Sequence, residues 1–516
     1  MFQYGIDELS VSLAISLMRG EEKGELGQPA IEQVLYAESL VHQVVEGNDA
    51  VYGINTGFGP LCSTIITKSD TTELQRRILI SHSVGVGHPI SKDLSKLMLI
   101  LKVHSLAKGY SGISLEILER IIWHIDHEII PVVPEQGSVG ASGDLAPLSH
   151  LFLPLIGEGE VWIGDTRIPT AEVLQNHGLE PLIPGPKAGL ALINGTQFIA
   201  AHAVLMVWNM NLALSQADLI GAMMIEGLLG SRMPFHPQLH QTRPFPGNQH
   251  VAARLFRFLE GSQINVSHLG CDRVQDPYSL RCMPQVHGAS RTAWLHLKQA
   301  VETEINSVTD NPVIISRELM ISGGNFHGQP LALPIDYACL GAAEMGSISD
   351  RRTYLSLEGK VENTPKLLMK DIGVNSGFMI LQYTSAALVS ENKGLCFPSS
   401  ADSIPTSLGQ EDHVSMGSIG ARKGLQVVNN LMKILAVEWI CAAQAMEFKR
   451  PLHSSDILEA GLRIIRRKVR FAEEDRIFSL DIQAAAQMLA QGTLLSADPD
   501  ASSDPYSSMF EAVYKS

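Results

Sequence analysis

The sequence predicts a mainly α-helical protein, a bundle of long helices with a smaller mixed α and β part at the N-terminal end. Apolar residues recur three or four positions apart over long blocks, most clearly in GLQVVNNLMKILAVEWICAAQAM from position 424. Patterns typical of strands are few and short. Similar helical blocks run near 72–108, 113–128, 195–230, 288–308, 333–357 and 376–395.

Two short strand pairs are expected within this helical pattern. In EVWIGDTRIPT, from position 160, apolar runs flank Gly164-Asp165 and predict a hairpin. A second pair is expected in VIISRELMIS, from position 313. We place a mixed N-terminal domain at 1–190, a central helical bundle domain at 191–495 and a polar, flexible tail at 496–516.

Composition limits the class of protein. The 516 residues are 45% hydrophobic and 18% charged, which indicates a globular protein with a large buried core. The longest apolar stretch, from position 201, is interrupted by polar residues, so no membrane span is expected. The acidic start lacks the features of a secretory signal and favours a cytoplasmic protein. A net charge of −15, without a long basic cluster, argues against nucleic acid as a partner.

The common catalytic motifs are missing from the sequence. The six cysteines are scattered and form no CxxC pair, which favours reduced thiols over a metal site. No segment matches GxxxxGK[ST], HExxH or an EF-hand loop, and GASGD departs from the GxSxG pattern at Asp144. Phosphate binding, zinc hydrolysis and Ser-His-Asp hydrolysis therefore lose their usual support, and we expect no metal.

The stretch GSVGASGDLAPLSH, at 137–150, combines a turn with unusual chemistry. Its glycines suit a turn, Ser142 or Asp144 suits the cap of a following helix, and Pro147 suits the first turn of that helix. A tight turn that brings the amide nitrogen of Gly143 onto the carbonyl carbon of Ala141 is also the geometry for backbone cyclisation, because glycine has no Cβ to block the attack. Loss of the Ser142 hydroxyl as water then leaves an exocyclic methylene, an electrophile made from the chain itself. The helix N-terminus would stabilise negative charge on the ring oxygen.

This stretch resembles the signature of the aromatic amino acid ammonia-lyases, and eight further blocks occur in family order. The resemblance implies an ammonia-lyase/fumarase-like architecture and a homotetramer with shared active sites. It also implies a 4-methylidene-imidazol-5-one group formed from Ala141, Ser142 and Gly143. The further blocks are VYGINTGFG (51–59), SHSVGVG (81–87), LINGTQ (192–197), QDPYSLRCMPQ (275–285), TDNP (309–312), GGNFHGQP (323–330), NSGFM (375–379) and QEDHVSM (410–416).

The family reaction removes ammonia and a β-proton from an aromatic amino acid to give an arylacrylate. By resemblance, Tyr52 is the base and lies on the family's mobile tyrosine loop, where Gly53, Gly57 and Gly59 favour a lid. A phenol titrates near pH ~10, so it needs cationic or hydrogen-bonding neighbours to act near neutrality. Tyr278 resembles a second active-site phenol, and it stays open as an alternative base.

Other roles also follow from the resemblance. Arg281 resembles the residue that binds the substrate carboxylate, for which a planar bidentate donor is suited, and Gln275 resembles a polar contact beside it. Asn194 resembles the amide that supports the carboxylate and the ring oxygen. Phe326 resembles a residue that packs beside the prosthetic group, whereas His327 is interpreted as structural.

Two residues point to the substrate. His82 resembles the histidine that contacts imidazole in the histidine-specific members of the family, although some tyrosine-specific members carry a similar Ser-His pair. Glu411 stands where members acting on phenylalanine or tyrosine usually have an amide. A carboxylate beside a neutral ring is desolvated without compensation, but beside an imidazole it gains a charge-assisted hydrogen bond. The QED block also carries a departure, because Gly409 stands where Asn is frequent.

The expected reaction is therefore elimination of ammonia from L-histidine to give urocanate, the first step of histidine degradation. A tyrosine or phenylalanine ammonia-lyase, or a 2,3-aminomutase with the same prosthetic group, is the alternative. A catalytically silent helical scaffold is a more distant alternative, and the triplet, both tyrosines and Arg281 argue against it.

Overall fold

The computed structural model describes residues 1–47, 51, 53–54, 56, 68–498 and 505–511. Most of these residues are helical, so the predicted mainly α fold is confirmed. The helices are α1 (Val11–Arg19), α2 (Gln28–Glu46), α3 (Lys68–His82), α4 (Lys92–Leu106), α5 (Leu115–Asp126), α6 (Leu145–Phe152), α7 (Thr170–Asn176), α8 (Ala188–Ile193), α9 (Gln197–Gly227), α10 (Pro237–Gln241), α11 (Pro246–Phe258), α12 (Gln263–Ser267), α13 (Tyr278–Arg281), α14 (Met283–Glu304), α15 (Gln329–Leu357), α16 (Met379–Leu395), α17 (Gly417–Glu447), α18 (Asp456–Arg466), α19 (Phe478–Ala490) and α20 (Ser507–Phe510).

The strands are short and form small separate sheets. β6 and β7 pair antiparallel with Ile163 opposite Thr166, which confirms the predicted hairpin, and β4 joins them through β6. β8 and β9 form the second predicted antiparallel pair. β1 pairs with β2 in parallel, and β3 pairs with β5 antiparallel. The strands are β1 (Phe2–Tyr4), β2 (Gly24–Leu26), β3 (Val86–Pro89), β4 (Ile130–Pro131), β5 (Pro134–Gln136), β6 (Glu160–Ile163), β7 (Thr166–Pro169), β8 (Val313–Ile314) and β9 (Met320–Ile321).

The chain divides into two compact units that are interleaved along the sequence. Four of the five boundaries between their segments fall inside α9, α14, α15 and α17 rather than in linkers. The predicted domains at 1–190 and 191–495 are a division along the sequence, and that division stays a prediction. The first unit comprises Met1–Leu205, Lys298–Ile335 and Pro398–Arg422, and the second comprises Met206–Leu297, Asp336–Phe397 and Lys423–Ser516.

The periodic block at 72–108 forms two helices instead of one. α3 ends at His82, and the chain then extends through Gly85 and Gly87 into β3 before α4 begins. The side chain of Ser91 accepts a hydrogen bond from the backbone N–H of Leu94 and caps α4 at its N-terminus. The apolar period alone did not reveal this break, because the residues on both sides of it keep the helical spacing.

α9 and α17 contain the most apolar long segments. Both are long and apolar enough to cross a membrane by length and composition, and no other described helix of at least 18 residues is. Most of the apolar window of each is nevertheless buried inside the protein. Burial in the core therefore accounts for their composition.

The C-terminal segment is better packed than its composition suggested. We expected a loosely held tail from 496 onward, but Phe510 and Glu511 are buried. Asn211 donates a hydrogen bond of 2.8 Å to the carbonyl of Phe510, and Ser215 donates one of 2.6 Å to the Glu511 carboxylate. Residues 505–511 are therefore held by these contacts, although their polar, turn-rich composition predicted a loose segment.

Candidate active site

Ala141, Ser142 and Gly143 form a tight turn directly before α6. Ser142 has a φ of 49° and Gly143 a φ of 81°, so the turn holds a non-glycine residue in the left-handed region. A Cβ on Gly143 would lie 2.1 Å from the carbonyl oxygen of Gly195, so only glycine fits there. The predicted turn is present, and it is packed against the backbone at residue 195.

Two predicted blocks meet at this turn through a strand pair. β5 leads into the turn and pairs with β3, with Gln136 opposite Val86. Gly85 donates its N–H to Nε2 of His150 in α6 at 3.0 Å. The SHSVGVG block, with His82 at the end of α3, is therefore fixed beside the Ala-Ser-Gly block.

Asn194 lies in the break between two helices. α8 ends at Ile193, α9 begins at Gln197, and Gly195 between them accepts a 2.7 Å hydrogen bond from the N–H of Asp144. Asn194 is buried, yet the described residues provide no partner for its Oδ1. A buried amide oxygen without a partner is costly, so this acceptor is suited to a hydrogen-bond donor. The predicted support of the substrate carboxylate needs the Nδ2 donor of the same amide and stays a prediction.

Lys102, in α4, holds the backbone of Asn194 through a hydrogen bond to its carbonyl oxygen. Its Nζ donates to the Asn194 carbonyl at 2.5 Å, and its side chain is almost fully buried. Burial lowers the pKa of Lys102 to about 7, with the Asp310 carboxylate opposing the shift. Asp310 in turn binds Nζ of Lys187 at 2.5 Å. The TDNP block therefore contributes a buried ionic support for this backbone.

Asp144 joins the starts of three helices. It precedes α6, but its carboxylate does not cap that helix. Instead Oδ2 accepts from the N–H of Ile199 in the first turn of α9 at 3.0 Å, and Oδ1 accepts from Ser418 in the first turn of α17 at 2.7 Å. Burial raises the pKa of Asp144 to about 6, and these hydrogen bonds oppose the shift. The Ala-Ser-Gly turn is thereby tied to the N-terminal ends of long helices.

Glu411 reaches the turn from a distant part of the sequence. Ser142 Oγ donates to Glu411 Oε1 at 2.9 Å. The other carboxylate oxygen, Oε2, accepts from Thr406 Oγ1 at 2.7 Å and from Ser407 Oγ at 2.8 Å. The residue predicted to select the substrate therefore contacts the residue predicted to form the electrophile.

Apolar packing holds the segment of Glu411 against the Ala-Ser-Gly turn. Ala141 lies in a buried cluster with Val414 and Met416, three and five residues after Glu411. The N–H of Met416 also donates to the carbonyl of Val139 at 2.9 Å. The apolar half of the QEDHVSM block thus holds its acidic half against the turn.

His82 lies within the electrostatic influence of Glu411. Burial lowers the pKa of His82 below its usual range, while a backbone hydrogen bond and the Glu411 carboxylate oppose the shift. The ring Nδ1 lies 3.0 Å from the hydroxyl of Ser81. The Glu411 carboxylate is therefore one of the charges that act on the His82 ring.

Phe326 lies half-buried in the loop before α15. A Cβ on Gly328, two residues further on, would lie 2.9 Å from Ser415 Oγ, so the loop runs close to the QEDHVSM block. Nε2 of His327 lies 3.3 Å from the carbonyl oxygen of His413, and the two rings stack at 5.7 Å. These contacts support a structural role for His327.

Gln275, Tyr278 and Arg281 form a second group, in the second unit. Arg281 donates to Gln275 Oε1 and to the carbonyl of Asp276, both at 2.9 Å, and its guanidinium lies 4.6 Å from the centre of the Tyr278 ring. Tyr278 is 72% exposed. Gln275 and Arg281 line a cavity of about 540 Å³. The three predicted residues are therefore grouped, with a guanidinium beside an open cavity.

The sequence interpretation missed several residues that shape the site. Lys102, Thr406 and Ser407 were not singled out, and Asp144 was considered only as a helix cap. A lysine inside the apolar run LMLILKVHSL was a usable signal, since a buried lysine needs a partner. The proximity of Thr406 and Ser407 to Glu411 in sequence was a weaker one. Tyr52 lies outside the described residues.

The long helices and a strained Ala-Ser-Gly turn facing a carboxylate define a carbon–nitrogen lyase of the ammonia-lyase class. The sequence profile described as aromatic amino acid lyase matches residues 9–467. The chain belongs to the aromatic amino acid lyase family, and the resemblance predicted from the nine blocks is confirmed.

Relatives and solved structures agree with this assignment. A histidine ammonia-lyase of Myxococcus xanthus (strain DK1622) is 45% identical over 492 residues, which cover 95% of this chain and 97% of that protein. The crystal structure of histidine ammonia-lyase from Trypanosoma cruzi matches with a TM-score of 0.90 at 37% identity, covering 99% of this chain and 97% of that one. A tyrosine aminomutase from Streptomyces globisporus matches with a TM-score of 0.89 at 33% identity, covering 95% and 97%.

Proposed function

We propose that the protein is a histidine ammonia-lyase that converts L-histidine to urocanate and ammonia, as the first step of histidine degradation. The contact between Ser142 and Glu411 carries the proposal, because it places a carboxylate at the turn where the family reaction occurs. An imidazole N–H can donate to that carboxylate, whereas the ring of phenylalanine would only desolvate it. The similarity to proteins named histidine ammonia-lyase supports the same substrate.

The 4-methylidene-imidazol-5-one group is proposed to form from Ala141, Ser142 and Gly143. The residues fit the group, since Gly143 lies where a Cβ would clash with Gly195 and Ser142 is held at positive φ. When formed, the group supplies an electrophile that makes the substrate amine a better leaving group. No external cofactor is needed for this chemistry.

The other residues are proposed to bind and orient the substrate. Arg281, with Gln275 beside it, binds the carboxylate, for which its planar fork is suited. The amide of Asn194 supports the carboxylate and the ring oxygen through its Nδ2, because both of those groups accept hydrogen bonds. Tyr52 removes the β-proton, with Tyr278 as the alternative base.

The side chain of the substrate is proposed to lie beside His82 and Glu411. The lowered pKa of His82 favours a neutral imidazole ring near neutral pH. Phe326 packs beside the prosthetic group and excludes water from it. These roles rest on the family resemblance together with the contacts of each residue.

We propose that the protein is a cytoplasmic homotetramer whose active sites take residues from more than one chain. Exposed large apolar side chains recur along one face of α15, where Leu333, Tyr337 and Leu340 are each about half exposed. Such a stripe is typical of a surface that another helix covers. Size-exclusion chromatography with light scattering measures the assembly, and a monomer at micromolar concentration would contradict it.

The decisive experiment compares the wild type with Ser142→Ala. We expect urocanate formation from L-histidine, monitored by absorbance, to fall by several orders of magnitude in the variant, because the covalent route is lost. Ser149→Ala is the matched control, since Ser149 lies in the adjacent α6 and its hydroxyl has no partner in the described residues. Intact mass should show the loss of two waters in the wild type and the control.

The same assay separates the alternatives. Turnover of L-tyrosine or L-phenylalanine without turnover of L-histidine would replace the proposed substrate, and a β-amino acid product would indicate a 2,3-aminomutase. Because the chain is structurally similar to a tyrosine aminomutase, the assay should also quantify the β-amino acid product. An unmodified mass with no turnover would leave a silent scaffold.

A further inference from the structure

The two carboxylate oxygens of Glu411 are held in different ways. Oε2 accepts from two neighbouring hydroxyls, those of Thr406 and Ser407. Oε1 accepts from Ser142 Oγ, and that oxygen is lost if the chain cyclises as proposed. One oxygen is therefore held by the protein throughout, while the other loses its partner when the electrophile forms.

The loop that supplies the two hydroxyls is strained and recovers little packing. Ser407, Leu408 and Gly409 have consecutive φ values of 51°, 55° and 86°. The left-handed region is costly for serine and leucine, and Leu408 is 96% exposed, so packing within the chain itself does not offset the cost. Gly409 suits its position, and Asn, which is frequent there in the family, also tolerates this conformation.

The strained turn places donors on Glu411. Thr406 and Glu411 form an antiparallel bridge, in which the N–H of Thr406 donates to the carbonyl of Glu411 at 3.0 Å. This short bridge closes the turn and directs the hydroxyls of Thr406 and Ser407 to the same carboxylate oxygen. Backbone strain that persists without packing is typical of a functional constraint.

We infer that Thr406 and Ser407 are positioning residues that set the preference for an imidazole side chain. They fix Oε2 of Glu411, so that Oε1 remains directed at position 142. During maturation the Cβ–Oγ bond of Ser142 breaks, and the departing oxygen leaves as water with the Cα proton of the same residue. Oε1 is then available to accept the imidazole N–H of the substrate. The inference rests on the proposed function.

The same arrangement predicts selectivity. A carboxylate whose second oxygen has two hydroxyl donors cannot rotate without breaking both hydrogen bonds, so Oε1 accepts in one direction only. An imidazole N–H needs an acceptor in a fixed direction, whereas a phenyl ring has no donor to be directed. Loss of the two hydroxyls should therefore weaken recognition of L-histidine and leave that of L-phenylalanine unchanged.

The first test measures binding without the prosthetic group. In a Ser142→Ala chain the electrophile cannot form and no hydroxyl occupies Oε1, so we expect L-histidine to bind. Adding Thr406→Val and Ser407→Ala should weaken L-histidine binding, measured by isothermal titration calorimetry, by about tenfold or more, the size expected for lost hydrogen bonds to a charged group. Unchanged affinity in this triple variant would overturn the inference.

The second test uses the mature enzyme and asks whether the hydroxyls act through Glu411. We expect Thr406→Val with Ser407→Ala to lower kcat/KM for L-histidine by about ten- to a hundredfold, and to have no further effect in a Glu411→Gln background. Equal losses in both backgrounds would show a merely structural role and overturn the inference. Intact mass verifies that each variant has matured, and failure of the double variant to mature would also overturn it.

Two further variants sharpen the comparison. Thr406→Ser keeps a hydroxyl and should restore most of the activity lost in Thr406→Val. Ser403→Ala removes a hydroxyl of the same loop that accepts from the N–H of Val414 and does not contact Glu411. A loss of L-histidine selectivity in Ser403→Ala as large as in the double variant would overturn the inference.

Failure of the proposed function gives a different result. If the wild type turns over L-tyrosine or L-phenylalanine but not L-histidine, both the function and the inference fail. If the wild type acts on L-histidine and the hydroxyl variants behave like the wild type, the inference alone fails. The mature wild type could also turn over L-histidine while the Ser142→Ala chain fails to bind it. That result would overturn only the claim that Oε1 of Glu411 becomes available to the substrate once the Ser142 hydroxyl is lost.

Discussion

Ser142 and Glu411 lie 269 positions apart in the chain and are joined by a 2.9 Å hydrogen bond from Oγ to Oε1. The first residue belongs to the turn that predicts the reaction, and the second belongs to the block that predicts the substrate. Their contact places the residue proposed to form the electrophile and the carboxylate proposed to select the substrate in one site. A change at Glu411 should therefore alter the choice of substrate.

Glu411→Gln should reduce activity on L-histidine selectively. The amide keeps the size of the side chain but removes the charge that strengthens a hydrogen bond from imidazole. We expect kcat/KM for L-histidine to fall by about ten- to a hundredfold, which corresponds to about 1.5–3 kcal/mol for a charge-assisted hydrogen bond. Residual activity on L-tyrosine or L-phenylalanine, if present in the wild type, should stay the same or rise.

The control for this variant is Asp412→Asn, which makes the same carboxylate-to-amide change at the neighbouring, exposed acidic residue. Steady-state assays of both variants, with intact mass to verify maturation, decide the outcome. An equal loss on all aromatic substrates would show that Glu411 serves the common chemistry instead of selection.

Lys102→Met should impair catalysis more than stability. Met removes the donor that holds the Asn194 carbonyl at 2.5 Å, so the Asn194–Gly195 backbone beside the turn should shift. It also removes the cost of burying an amine, which offsets the lost hydrogen bond, each on the order of 1–3 kcal/mol. We expect kcat to fall by about ten- to a hundredfold, because small displacements of catalytic groups have effects of this size.

Lys96→Met is the matched control for Lys102. Lys96 lies in the same helix, is also buried, and pairs with Glu128 instead of with the Asn194 carbonyl. Urea unfolding and turnover of L-histidine are measured for both variants. A loss of turnover in Lys96→Met equal to that in Lys102→Met would contradict a specific role for the contact with Asn194.

The sequence predicted the helices well because burial of helix faces leaves an apolar period, and this period is a local property of the sequence. It also predicted the β6–β7 hairpin, whose turn chemistry is local at Gly164-Asp165. The nine blocks identified the family, and through it Asn194, His82 and Glu411, which the structure brings to the Ala-Ser-Gly turn.

The remaining features depend on contacts between distant segments. Asp144 precedes a helix and was therefore considered as its cap, but its carboxylate binds the N–H of Ile199 in another helix. The support of Asn194 by Lys102 spans 92 positions, and no local pattern encodes it. Tyr52 lies outside the described residues, so its role as base stays a prediction.

Acidification should destabilise the protein through buried histidines. Burial lowers the pKa of His124 and of His202 to about 4. Each folded-state pKa is below the unfolded value, so each contribution is present above about pH 6.5 and is lost as the pH falls toward 4. We expect the free energy of unfolding to fall by about 1 kcal/mol per histidine between about pH 7.5 and about pH 5.5.

Substitution by asparagine tests this assignment. The amide of Asn can replace the Nδ1 donor that His124 directs to the Ile129 carbonyl and that His202 directs to the Phe198 carbonyl, but it does not titrate. Urea unfolding at fixed protein concentration, at both pH values, should show a shallower pH dependence in His124→Asn and His202→Asn. An unchanged slope in both variants would contradict the prediction.

Glu511 should anchor the C-terminal segment by its charge. Burial raises the pKa of Glu511, but Arg254 and the hydrogen bond from His250 outweigh it and hold that pKa below its usual range. The contribution is therefore present at neutral pH and is lost as the pH falls through the lowered pKa. Glu511→Gln leaves Arg254 with one fewer buried partner, and we expect the free energy of unfolding to fall by about 3–5 kcal/mol, the size measured when one partner of a buried pair is removed.

Glu473→Gln, at an exposed carboxylate, is the control and should change stability by less than about 0.5 kcal/mol. Urea unfolding gives the free energies, and limited proteolysis should cleave the end of the chain faster in Glu511→Gln only. Equal stability and equal cleavage in the two variants would show that the segment is held by Phe510 and the backbone instead of the carboxylate.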